Sequence, residues 1–356
     1  MTILFFGSNL NLEMNKPKVA INGFGRIGRV VMRVWWERYR DEVDLVAVNT
    51  SGSMDTASWA HLLKYDSVYG RFPAKVDVSD PKKGEEIGRI KVGSFSIPVL
   101  AQKDPRKIRW HDYQVDTVLE CTGVFLDRSA EGHFKGGAKK VIISAPRKDE
   151  TIPTYIAGVN LSSYKGESLV SNGSCTTNCM APIVKLIDQK LGFEECVATT
   201  IHAYTSTQNI VDNSHKDLRR ARAAGMNIVP TGTGAAKAVA AAYPEAQGRF
   251  AASAIRVPVA CGSYSEFVFR LKKGTTVDEI NSIIIEAATE KDLIGIIKPS
   301  YEPLVSSDII GNSGSAIVDL PLTQVVSDEM VHIGAWYDNE YGYGCRLVEM
   351  AAKIGS

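Results

Sequence analysis

The hydrophobic and polar positions in the first half of the chain describe short apolar strands that alternate with amphipathic helices. Lys18–Asn22 is an apolar run that ends in a glycine-rich turn, and the chain from Arg26 to about Tyr39 has helical periodicity. A second apolar run, Val43–Asn49, follows. This order predicts a strand–helix–strand unit with parallel strands and a right-handed crossover. Two further strands and a hairpin are predicted: Val115–Cys121, Lys140–Ala145, and Arg89–Leu100 with its turn near Gly93 and Ser94.

In the second half of the chain the strands become longer and alternate in polarity. Cys175–Leu191 has helical periodicity, and Gly192 ends it. Thr276 and Glu279 form a capping box, which predicts a helix as far as about Glu290. Four strands and a closing helix are also predicted: Cys196–His202, Phe250–Val257, Ser263–Leu271, Val331–Tyr337, and the helix around Met350. The whole pattern predicts an α/β domain followed by an α+β domain with a mostly antiparallel sheet.

The composition excludes several classes of protein. The 356 residues are 44% hydrophobic and 23% charged, which is enough to bury a core and unlike a disordered chain. Basic residues number 41 and acidic ones 40, so nucleic acid or a membrane surface is not the expected primary partner. No stretch approaches the roughly 18 apolar residues of a membrane span. Six cysteines are too few for a disulfide framework here and predict a reduced, cytoplasmic protein.

Residues 1–16 form an N-terminal extension ahead of the regular pattern. They carry a short apolar run without a preceding positively charged region or a small-residue cleavage site. A secretory signal is therefore not expected, and the extension has no assigned role.

The turn after the first strand has the glycine spacing of a dinucleotide-binding motif. Its sequence, Gly23–Gly28 (GFGRIG), lies between a strand and a helix. The first glycine permits the tight turn, the second lets the backbone approach a pyrophosphate, and the third lets helix and strand pack closely. The helix N-terminus offers unpaired N–H groups to phosphate oxygens. We therefore expect a dinucleotide site; the alternative is a purely structural glycine turn.

The end of the second strand bears on which dinucleotide would bind. A carboxylate at this place would bond the ribose 2′-hydroxyl of NAD. The chain instead has Asn49 and Thr50, and no carboxylate appears until Asp55. The missing charge favours NADP, alone or alongside NAD. Alternatively, Asn49 or Thr50 bonds the 2′-hydroxyl of NAD without a charge.

Cys175 is the candidate nucleophile. It lies where a strand gives way to a helix, and the helix dipole and free amides there are expected to lower the pKa of its thiol. Such a cysteine generally needs a base, and His202 ends a strand that opens into a polar loop. The alternative is a buried structural cysteine. Cys179 lies one turn further on, but without other Cys or His at ligand spacing we predict no metal site.

Two segments and one arginine are suited to anions. Lys216–Arg222 is a basic cluster, Thr231–Ala236 is a helix start rich in hydroxyl groups and glycine, and Arg256 ends a strand. Arginine side chains and helix N-termini both bind phosphate well. A basic run is more often a solvated face, but together these groups suggest a phosphorylated substrate.

Five segments of the chain occur together in one family. Ile21–Arg29 (INGFGRIGR), Ser171–Cys179 (SNGSCTTNC), His202–Gln208 (HAYTSTQ), Thr233–Lys237 (TGAAK) and Trp336–Tyr343 (WYDNEYGY) resemble phosphorylating glyceraldehyde-3-phosphate dehydrogenases of the NADP-using or dual-cofactor type. The resemblance implies a Rossmann NAD(P)-binding domain over residues 17–174, completed by a C-terminal helix over 340–356. It also implies a catalytic domain over residues 175–339, and a homotetramer.

The resemblance implies a reaction as well. Cys175 would attack the aldehyde of glyceraldehyde 3-phosphate to give a thiohemiacetal. His202 would take the proton and, with the backbone N–H of Cys175, steady the oxyanion. Hydride transfer to the nicotinamide would leave a thioester. Inorganic phosphate would then release 1,3-bisphosphoglycerate, and the steps would be reversible.

Binding residues are also implied by the resemblance. Thr205 and Arg256 would hold the substrate phosphate. The attacking phosphate would meet Ser174, Thr176, Arg220, Thr233 and Gly234. The cofactor would contact Gly23, Gly25, Arg26, Ile27 and Gly28 around the pyrophosphate, Asn49, Thr50 and Lys103 at the adenosine end, Thr122, Gly123, Ser144 and Ser214 along the cleft, and Asn339 and Tyr343 near the nicotinamide.

The chain departs from the family pattern at several positions. NAD-specific members carry Asp where Thr50 stands, and Leu-Pro where this chain has Asn213-Ser214; NADP-using photosynthetic members have serine at the latter place. Gly173 replaces the usual alanine and Tyr341 the usual tryptophan. Two alternatives remain: erythrose-4-phosphate dehydrogenase, whose matching segments differ clearly, and a non-catalytic cofactor-binding sensor, which would be expected to lose the nucleophile or the base.

Overall fold

The computed structural model describes residues 16–355, which form two large mixed sheets with helices packed against them. Residues 1–15, nearly all of the expected N-terminal extension, lie outside the described residues. The first half contains the helices α1 (Arg26–Val34), α2 (Thr56–Lys64) and α3 (Gly132–Lys135), and the strands β1 (Lys18–Asn22), β2 (Asp44–Asn49), β3 (Tyr65–Asp66), β4 (Gly70–Arg71), β5 (Val76–Ser79), β6 (Glu86–Val92), β7 (Phe95–Leu100), β8 (Thr117–Glu120), β9 (Lys140–Ile143) and β10 (Leu169–Ser171).

The second half begins with the longest helix and is richer in long strands. It contains α4 (Cys175–Lys190), α5 (Ala235–Ala242), α6 (Val277–Ala287) and α7 (Tyr341–Gly355), and the strands β11 (Phe193–Ala203), β12 (Val229–Thr231), β13 (Phe250–Val257), β14 (Ser263–Leu271), β15 (Ile297–Ser300), β16 (Ala316–Asp319), β17 (Gln324–Val326) and β18 (Met330–Tyr337).

The first sheet has the strand order β10-β9-β8-β1-β2-β7-β6-β5. The strands from β10 to β7 in that order pair in parallel, and β6 and β5 are added antiparallel. The order reverses at β1, because the chain passes to β2 on one side and later to β8 on the other. Open α/β sheets bind ligands at the carboxyl ends of the strands beside such a reversal. At that end Asn22 is in register with both Asn49 and Glu120.

The second sheet has the order β12-β13-β11-β14-β18-β16-β15, and β17 pairs with β18. Five of its seven pairings are antiparallel, which confirms the predicted α+β arrangement. The parallel pair β11–β13 places His202 directly opposite Arg256. The two side chains that the sequence singles out on separate strands are thereby brought together.

The last helix packs against the first sheet, although it follows the second sheet in the chain. Leu347, Met350 and Ala351 of α7 are completely buried in the same apolar cluster as Val30 and Trp35. Burying a large apolar side chain stabilises a fold by about 1.5–3 kcal/mol. The core of the first sheet therefore depends on residues from both ends of the described chain.

Helix α6 shows the predicted capping box in a modified form. The Thr276 hydroxyl accepts a hydrogen bond from the Glu279 N–H (3.2 Å), as expected. The Glu279 carboxylate, however, accepts from the hydroxyl of Thr275 (2.8 Å), and the helix ends at Ala287, before the expected Glu290.

The first predicted helix differs too, since α1 continues over residues 35–39 as a π-helical turn.

Candidate active site

The three glycines of the turn after β1 have three different surroundings. Gly23 has a φ of +96°, and a Cβ there would lie 2.7 Å from the Thr122 nitrogen. A Cβ on Gly28 would lie 2.1 Å from the Gly23 carbonyl oxygen, whereas one on Gly25 would meet nothing within 4 Å. The first and third glycines thus permit close packing, and the second leaves open space at the start of α1. Among residues 16–355 no side-chain hydrogen bond caps the start of α1, so this turn fits a pyrophosphate.

A cleft of about 440 Å³ opens beside this turn, at the carboxyl ends of β1, β2 and β8. None of the described residues that line it is Asp or Glu. The lining includes six of the cofactor residues expected from the sequence: Gly23, Gly25, Asn49, Thr50, Lys103 and Thr122. Its place at the strand reversal and its glycine turn fit a dinucleotide, and Trp59 and Phe125, which the sequence did not single out, add aromatic surface.

The polar groups at the adenosine end of the cleft are largely paired within the protein. Asn49 donates to the carbonyls of Asn22 (Oδ1, 2.7 Å) and Gln102 (2.8 Å), and its Oδ1 accepts from the Gln102 N–H (2.9 Å). The buried Thr50 hydroxyl donates to the Leu100 carbonyl (3.0 Å). Thr50 therefore offers no free hydroxyl hydrogen, and its contribution to a 2′-phosphate is the absence of a carboxylate.

Two serines beside Thr50 are the exposed hydroxyl groups of this region. The Ser51 and Ser53 hydroxyls lie 2.8 Å apart, and the Ser53 N–H donates to Ser51 Oγ (3.3 Å). Asp55, the first carboxylate after β2, is occupied as the N-cap of α2, where it accepts from the Ser58 N–H (2.8 Å). Small hydroxyl residues at this place favoured NADP in the sequence, although Ser51 and Ser53 are not among the expected cofactor residues.

The Arg26 side chain is committed to two carboxylates. Its Nε donates to both carboxylate oxygens of Glu340 (2.8 Å each), and its Nη1 pairs with Asp66 (2.5 Å). Burial opposes the charge, but the hydrogen bonds and charges of Glu340 and Asp66 outweigh it and raise the pKa of Arg26. The backbone N–H groups of Arg26 and Ile27, in the first turn of α1, are therefore the parts left for a pyrophosphate.

The remaining expected cofactor residues lie on the surrounding turns. Gly123 (φ +70°) follows β8, and the Ser144 N–H donates to the Glu120 carbonyl (3.0 Å). Asn339 Oδ1 accepts from the Gly262 N–H (3.1 Å) and the Ser263 hydroxyl (3.0 Å), which orients the amide. The Tyr343 hydroxyl donates to the Gly173 carbonyl (2.9 Å) beside the cysteine segment.

Ser214 does not line the cofactor cleft of its own chain. It lies in the exposed segment 204–228, where its N–H donates to Asn213 Oδ1 (2.7 Å). It is not among the residues that line the cleft.

The Cys175 thiol and the His202 imidazole face each other. Cys175 is the first residue of α4, and Ser174 caps that helix by accepting from the Thr177 N–H (3.1 Å). The Sγ of Cys175 lies 3.4 Å from Nε2 of His202. His202 Nδ1 lies 2.6 Å from the Ala203 carbonyl and also contacts Arg256 Nη1; in the tautomer that donates to the carbonyl, the Nε2 lone pair is directed at the sulfur.

Burial sets the protonation of this pair. It raises the pKa of the Cys175 thiol, and the nearby charge of Arg256 opposes the shift only in part. Burial and the same arginine lower the pKa of His202 to about 3. The expectation of a lowered thiol pKa is wrong, because the cost of desolvating a thiolate outweighs the helix N-terminus and Arg256. At neutral pH the structure therefore holds a thiol beside a neutral imidazole.

Arg256 lies next to this pair with an unused donor. Its Nη1 contacts His202 Nδ1 and donates to the Ala203 carbonyl (3.1 Å). Its Nε is buried and has no hydrogen-bond partner among the described residues. A buried, unpaired guanidinium donor is costly unless a ligand pairs with it, so Arg256 is suited to an anionic substrate.

A second group of anion-binding elements is assembled from the segments noted in the sequence. Arg220 Nε donates to the Thr231 hydroxyl (2.9 Å), and its Nη2 lies 3.4 Å from the Gly232 carbonyl. Immediately afterwards Gly234 is the N-cap of α5, and the Thr233 hydroxyl accepts from the N–H of the first helical residue (3.1 Å). A guanidinium and a helix N-terminus thus lie close together.

Two expected phosphate residues have hydroxyls engaged within the protein. The buried Thr176 hydroxyl lies 3.0 Å from the Tyr337 hydroxyl, which also contacts Thr200 (2.7 Å). The Thr205 hydroxyl lies 2.9 Å from that of Thr207. Tyr337 also packs edge-on against His202, with ring centroids 6.0 Å apart. It belongs to the quoted segment Trp336–Tyr343, but nothing in the sequence pointed to this contact.

Two family models match the chain, one in each half. The model described as the NAD binding domain of glyceraldehyde 3-phosphate dehydrogenase covers residues 17–128, and the model of its C-terminal domain covers residues 174–339. The chain belongs to the glyceraldehyde-3-phosphate dehydrogenase family. The resemblance drawn from the sequence motifs and the two-domain fold class that it implied are thereby confirmed.

Relatives within the family match almost the whole chain. A chloroplastic glyceraldehyde-3-phosphate dehydrogenase of Arabidopsis thaliana is 48% identical, over 96% of this chain and 84% of the relative. Glyceraldehyde-3-phosphate dehydrogenase A of Chlamydomonas reinhardtii, also chloroplastic, is 45% identical, over 94% and 88% respectively. Glyceraldehyde-3-phosphate dehydrogenase 1 of Streptomyces avermitilis is 46% identical, over 95% and 98%. The chain is therefore similar to enzymes named glyceraldehyde-3-phosphate dehydrogenase over 94% or more of its length.

The described residues also bear on metal ions and membranes. Within residues 16–355, His, Cys, Asp and Glu side chains form no group of three or more able to hold a metal ion. In the same residues, no helix combines the length and the apolar character needed to span a membrane.

Proposed function

We propose that the protein catalyses the reversible, phosphorylating oxidation of D-glyceraldehyde 3-phosphate to 1,3-bisphosphoglycerate with NADP or NAD. The observation that carries this proposal is the 3.4 Å contact between Cys175 Sγ and His202 Nε2 at the N-terminus of α4, in a chain of this family. A thiol beside a neutral imidazole is the arrangement of a nucleophile with its base.

The first step forms a bond between sulfur and carbon. Cys175 Sγ attacks the aldehyde carbon while its proton passes to His202 Nε2, which is neutral because burial lowers the pKa of that imidazole to about 3. The aldehyde oxygen takes up the electron pair and becomes the thiohemiacetal oxyanion. The imidazolium and the backbone N–H of Cys175 stabilise this oxygen, which then takes the proton from His202 Nε2, so that a thiohemiacetal hydroxyl lies beside a neutral imidazole.

The second step leaves a thioester on Cys175. The bound nicotinamide supplies the hydride acceptor for this step. His202 receives the proton of the thiohemiacetal hydroxyl, so that the carbonyl forms again. Asn339, whose Oδ1 is fixed by Gly262 and Ser263, orients the carboxamide of the cofactor. Phosphate then attacks the thioester carbon, and the departing sulfur regains its proton from His202.

Two phosphate groups have to be held during this sequence. Arg256, with its unpaired buried Nε, and Thr205 hold the phosphate of the substrate. The attacking phosphate is held by Arg220 and the N-terminus of α5 at Thr233 and Gly234, together with Ser174 and the Thr176 segment. The separation of these residues into two groups supports two anions rather than one.

NADP is the favoured cofactor. The adenosine end of the cleft carries Thr50, Ser51 and Ser53 and no lining carboxylate among the described residues, so a 2′-phosphate meets hydroxyl groups without charge repulsion. Lys103 lines the same cleft. Use of NAD alongside NADP remains part of the proposal, since a neutral site also accepts a 2′-hydroxyl.

A homotetramer is proposed for the assembly. The segment 204–228 exposes several large apolar side chains, with Ile210 at 88%, Met226 at 85% and Leu218 at 81% exposure. Several exposed large apolar side chains in one segment are typical of a protein interface. Ser214 lies in the same segment, so a neighbouring subunit would bring it to a cofactor. Residues 17–174 with 340–356 are taken as the cofactor domain and residues 175–339 as the catalytic domain of a cytoplasmic enzyme.

The test is absorbance at 340 nm with glyceraldehyde 3-phosphate, with NAD and NADP in parallel and with and without inorganic phosphate. We expect phosphate-dependent reduction, and its loss in Cys175→Ser. Cys179→Ser is the matched control, because that thiol lies one turn further along α4 and is fully buried away from His202. Residual turnover of Cys175→Ser within tenfold of wild type would refute the nucleophile. Reduction only with erythrose 4-phosphate would refute the substrate.

A further inference from the structure

A chain of buried polar side chains runs beneath the cofactor cleft, across the ends of three strands. Asn49 ends β2, Asn22 ends β1 and Glu120 ends β8, and the strand registers place them side by side. Asn49 Nδ2 donates to Asn22 Oδ1 (2.7 Å), and Asn22 Nδ2 donates to Glu120 Oε2 (2.5 Å). Beyond Glu120 the chain continues to His133, whose Nε2 lies 3.0 Å from the same carboxylate oxygen.

The protonation of His133 is determined by its other neighbour. The Trp110 indole N–H, which can only donate, points at His133 Nδ1 (3.0 Å). His133 Nδ1 therefore accepts, and Nε2 carries the hydrogen that His133 donates to Glu120. Both the His133 and the Glu120 side chains are 0% exposed.

Glu120 is consequently a buried carboxyl group surrounded by hydrogen-bond donors. Besides Asn22 and His133, the Thr122 N–H (2.8 Å) and the Thr122 hydroxyl donate to its other oxygen. Among the described residues, no Lys or Arg forms an ion pair with it. A buried polar group is costly unless it is hydrogen-bonded, and the four donors hold the Glu120 carboxyl group in place.

The Glu120 side chain determines the orientation of the Asn22 and Asn49 side-chain amides. Asn22 has to present its nitrogen to Glu120, so its oxygen faces Asn49. Asn49 in turn has to present its nitrogen to Asn22, so its Oδ1 faces the Gln102 N–H, and the residue lines the cleft. Both hydrogens of the Asn49 amide are then used, by Asn22 and by the Gln102 carbonyl. Toward a ligand Asn49 acts only as an acceptor, which suits a ribose hydroxyl.

The same carboxylate also shapes the turn that packs against the glycine motif. Thr122, held by Glu120 through two hydrogen bonds, lies where a Cβ on Gly23 would come within 2.7 Å of its nitrogen. The position of the pyrophosphate-binding turn and the orientation of Asn49 thus depend on one buried group.

We propose that Glu120 and His133 are positioning residues for the dinucleotide: through Asn22 and Thr122 they set the acceptor atom of Asn49 and the turn against Gly23. The inference rests on the proposed binding of NAD(P) in this cleft. It concerns affinity for the cofactor rather than the chemical step at Cys175, because neither residue contacts the Cys175–His202 pair.

The experiment measures binding of NADPH and NADH by fluorescence titration, and separately the KM and kcat of the reaction. Glu120→Gln introduces an amide N–H₂ where four donors converge, so at least one arm of the network has to turn around. We expect Kd and KM to rise about tenfold for both dinucleotides, the worth of roughly one or two hydrogen bonds, while kcat at saturating cofactor stays within threefold of wild type.

Two further variants serve as a control and as an alternative to Glu120→Gln. Glu86→Gln is the matched control, because the Glu86 side chain is also 0% exposed but pairs with Arg89 (2.8 Å) on β6, away from the cleft. It should leave Kd unchanged even where it lowers stability. Asn22→Ala removes the link between Glu120 and Asn49 and leaves the two hydrogen bonds from Thr122 to Glu120 in place. It should raise Kd like Glu120→Gln, and it replaces that variant in the test if Glu120→Gln does not fold.

The outcomes separate this inference from the proposed function. If the wild type binds neither dinucleotide, both are wrong. If the wild type binds and Glu120→Gln binds equally well, or if Glu86→Gln weakens binding as much as Glu120→Gln, the positioning role is wrong while the proposed function stands. A fall in kcat with unchanged Kd would also overturn it.

Discussion

Replacing His202 with glutamine should change how the protein responds to acid. In the folded protein, burial and the charge of Arg256 lower the pKa of His202 to about 3, whereas an unfolded chain binds a proton at histidine below about pH 6.5. Below that pH the unfolded chain therefore carries a proton that the folded protein lacks. This difference is absent above about pH 6.5, and it lowers the free energy of unfolding progressively as the pH falls from 6.5 toward 3.

The size of the effect follows from the same shift. A difference of one bound proton changes the free energy of unfolding by about 1.4 kcal/mol per pH unit. Between pH 7 and pH 5 the relevant window covers about 1.5 units, so wild type should lose about 2 kcal/mol more than His202→Gln. Glutamine keeps a polar side chain in the site but does not titrate, and the other acid-sensitive groups are common to both proteins.

Urea unfolding at pH 7 and pH 5, at one protein concentration, measures this difference. His61→Gln serves as the control, because His61 lies on the exposed face of α2 and does not contact Cys175 or Arg256. The reasoning is refuted if His202→Gln and wild type lose the same free energy between the two pH values, or if His61→Gln alters the pH dependence to the same extent.

Three further expectations concern the cleft and the nucleophile. Thr50→Asp should raise KM for NADP and not for NAD, because a carboxylate repels a 2′-phosphate; equal losses would indicate misfolding. Gly28→Ala should lower the unfolding free energy by roughly 3 kcal/mol, since its Cβ would lie 2.1 Å from the Gly23 oxygen, whereas Gly25→Ala should change stability by under about 1 kcal/mol and weaken binding of NADPH. Alkylation of Cys175 by iodoacetamide should accelerate with rising pH through the alkaline range, because burial raises the pKa of its thiol; a rate independent of pH would contradict this.

The parts of the fold that rest on local patterns could be predicted from the sequence. The strand–helix–strand unit and the glycine turn each depend on a few neighbouring residues, and the structure shows them where they were expected. Cys175 and His202 could be chosen in the same way, because a helix start and a strand end are visible in the pattern. That they meet at 3.4 Å is a property of the fold.

The partners of polar side chains could not be predicted, because they come from distant parts of the chain. Arg26 bonds Glu340, 314 positions away, so its guanidinium is not available to a pyrophosphate. The Thr50 hydroxyl is taken by the Leu100 carbonyl. The predicted direction of the Cys175 pKa shift was wrong for a related reason. The shift depends on how far the thiol is desolvated, and burial is a property of the assembled fold.

The place of α7 has a consequence for the order in which the molecule can be completed during synthesis. Its apolar face fills the core of the first sheet, and Glu340, just before it, holds Arg26 of the glycine turn. The cofactor half is therefore made first by the ribosome but is finished only after the whole catalytic half has been translated. In a nascent chain that stops before residue 340, the core of the first sheet should lack the apolar side chains of α7. Such a chain should not bind dinucleotides.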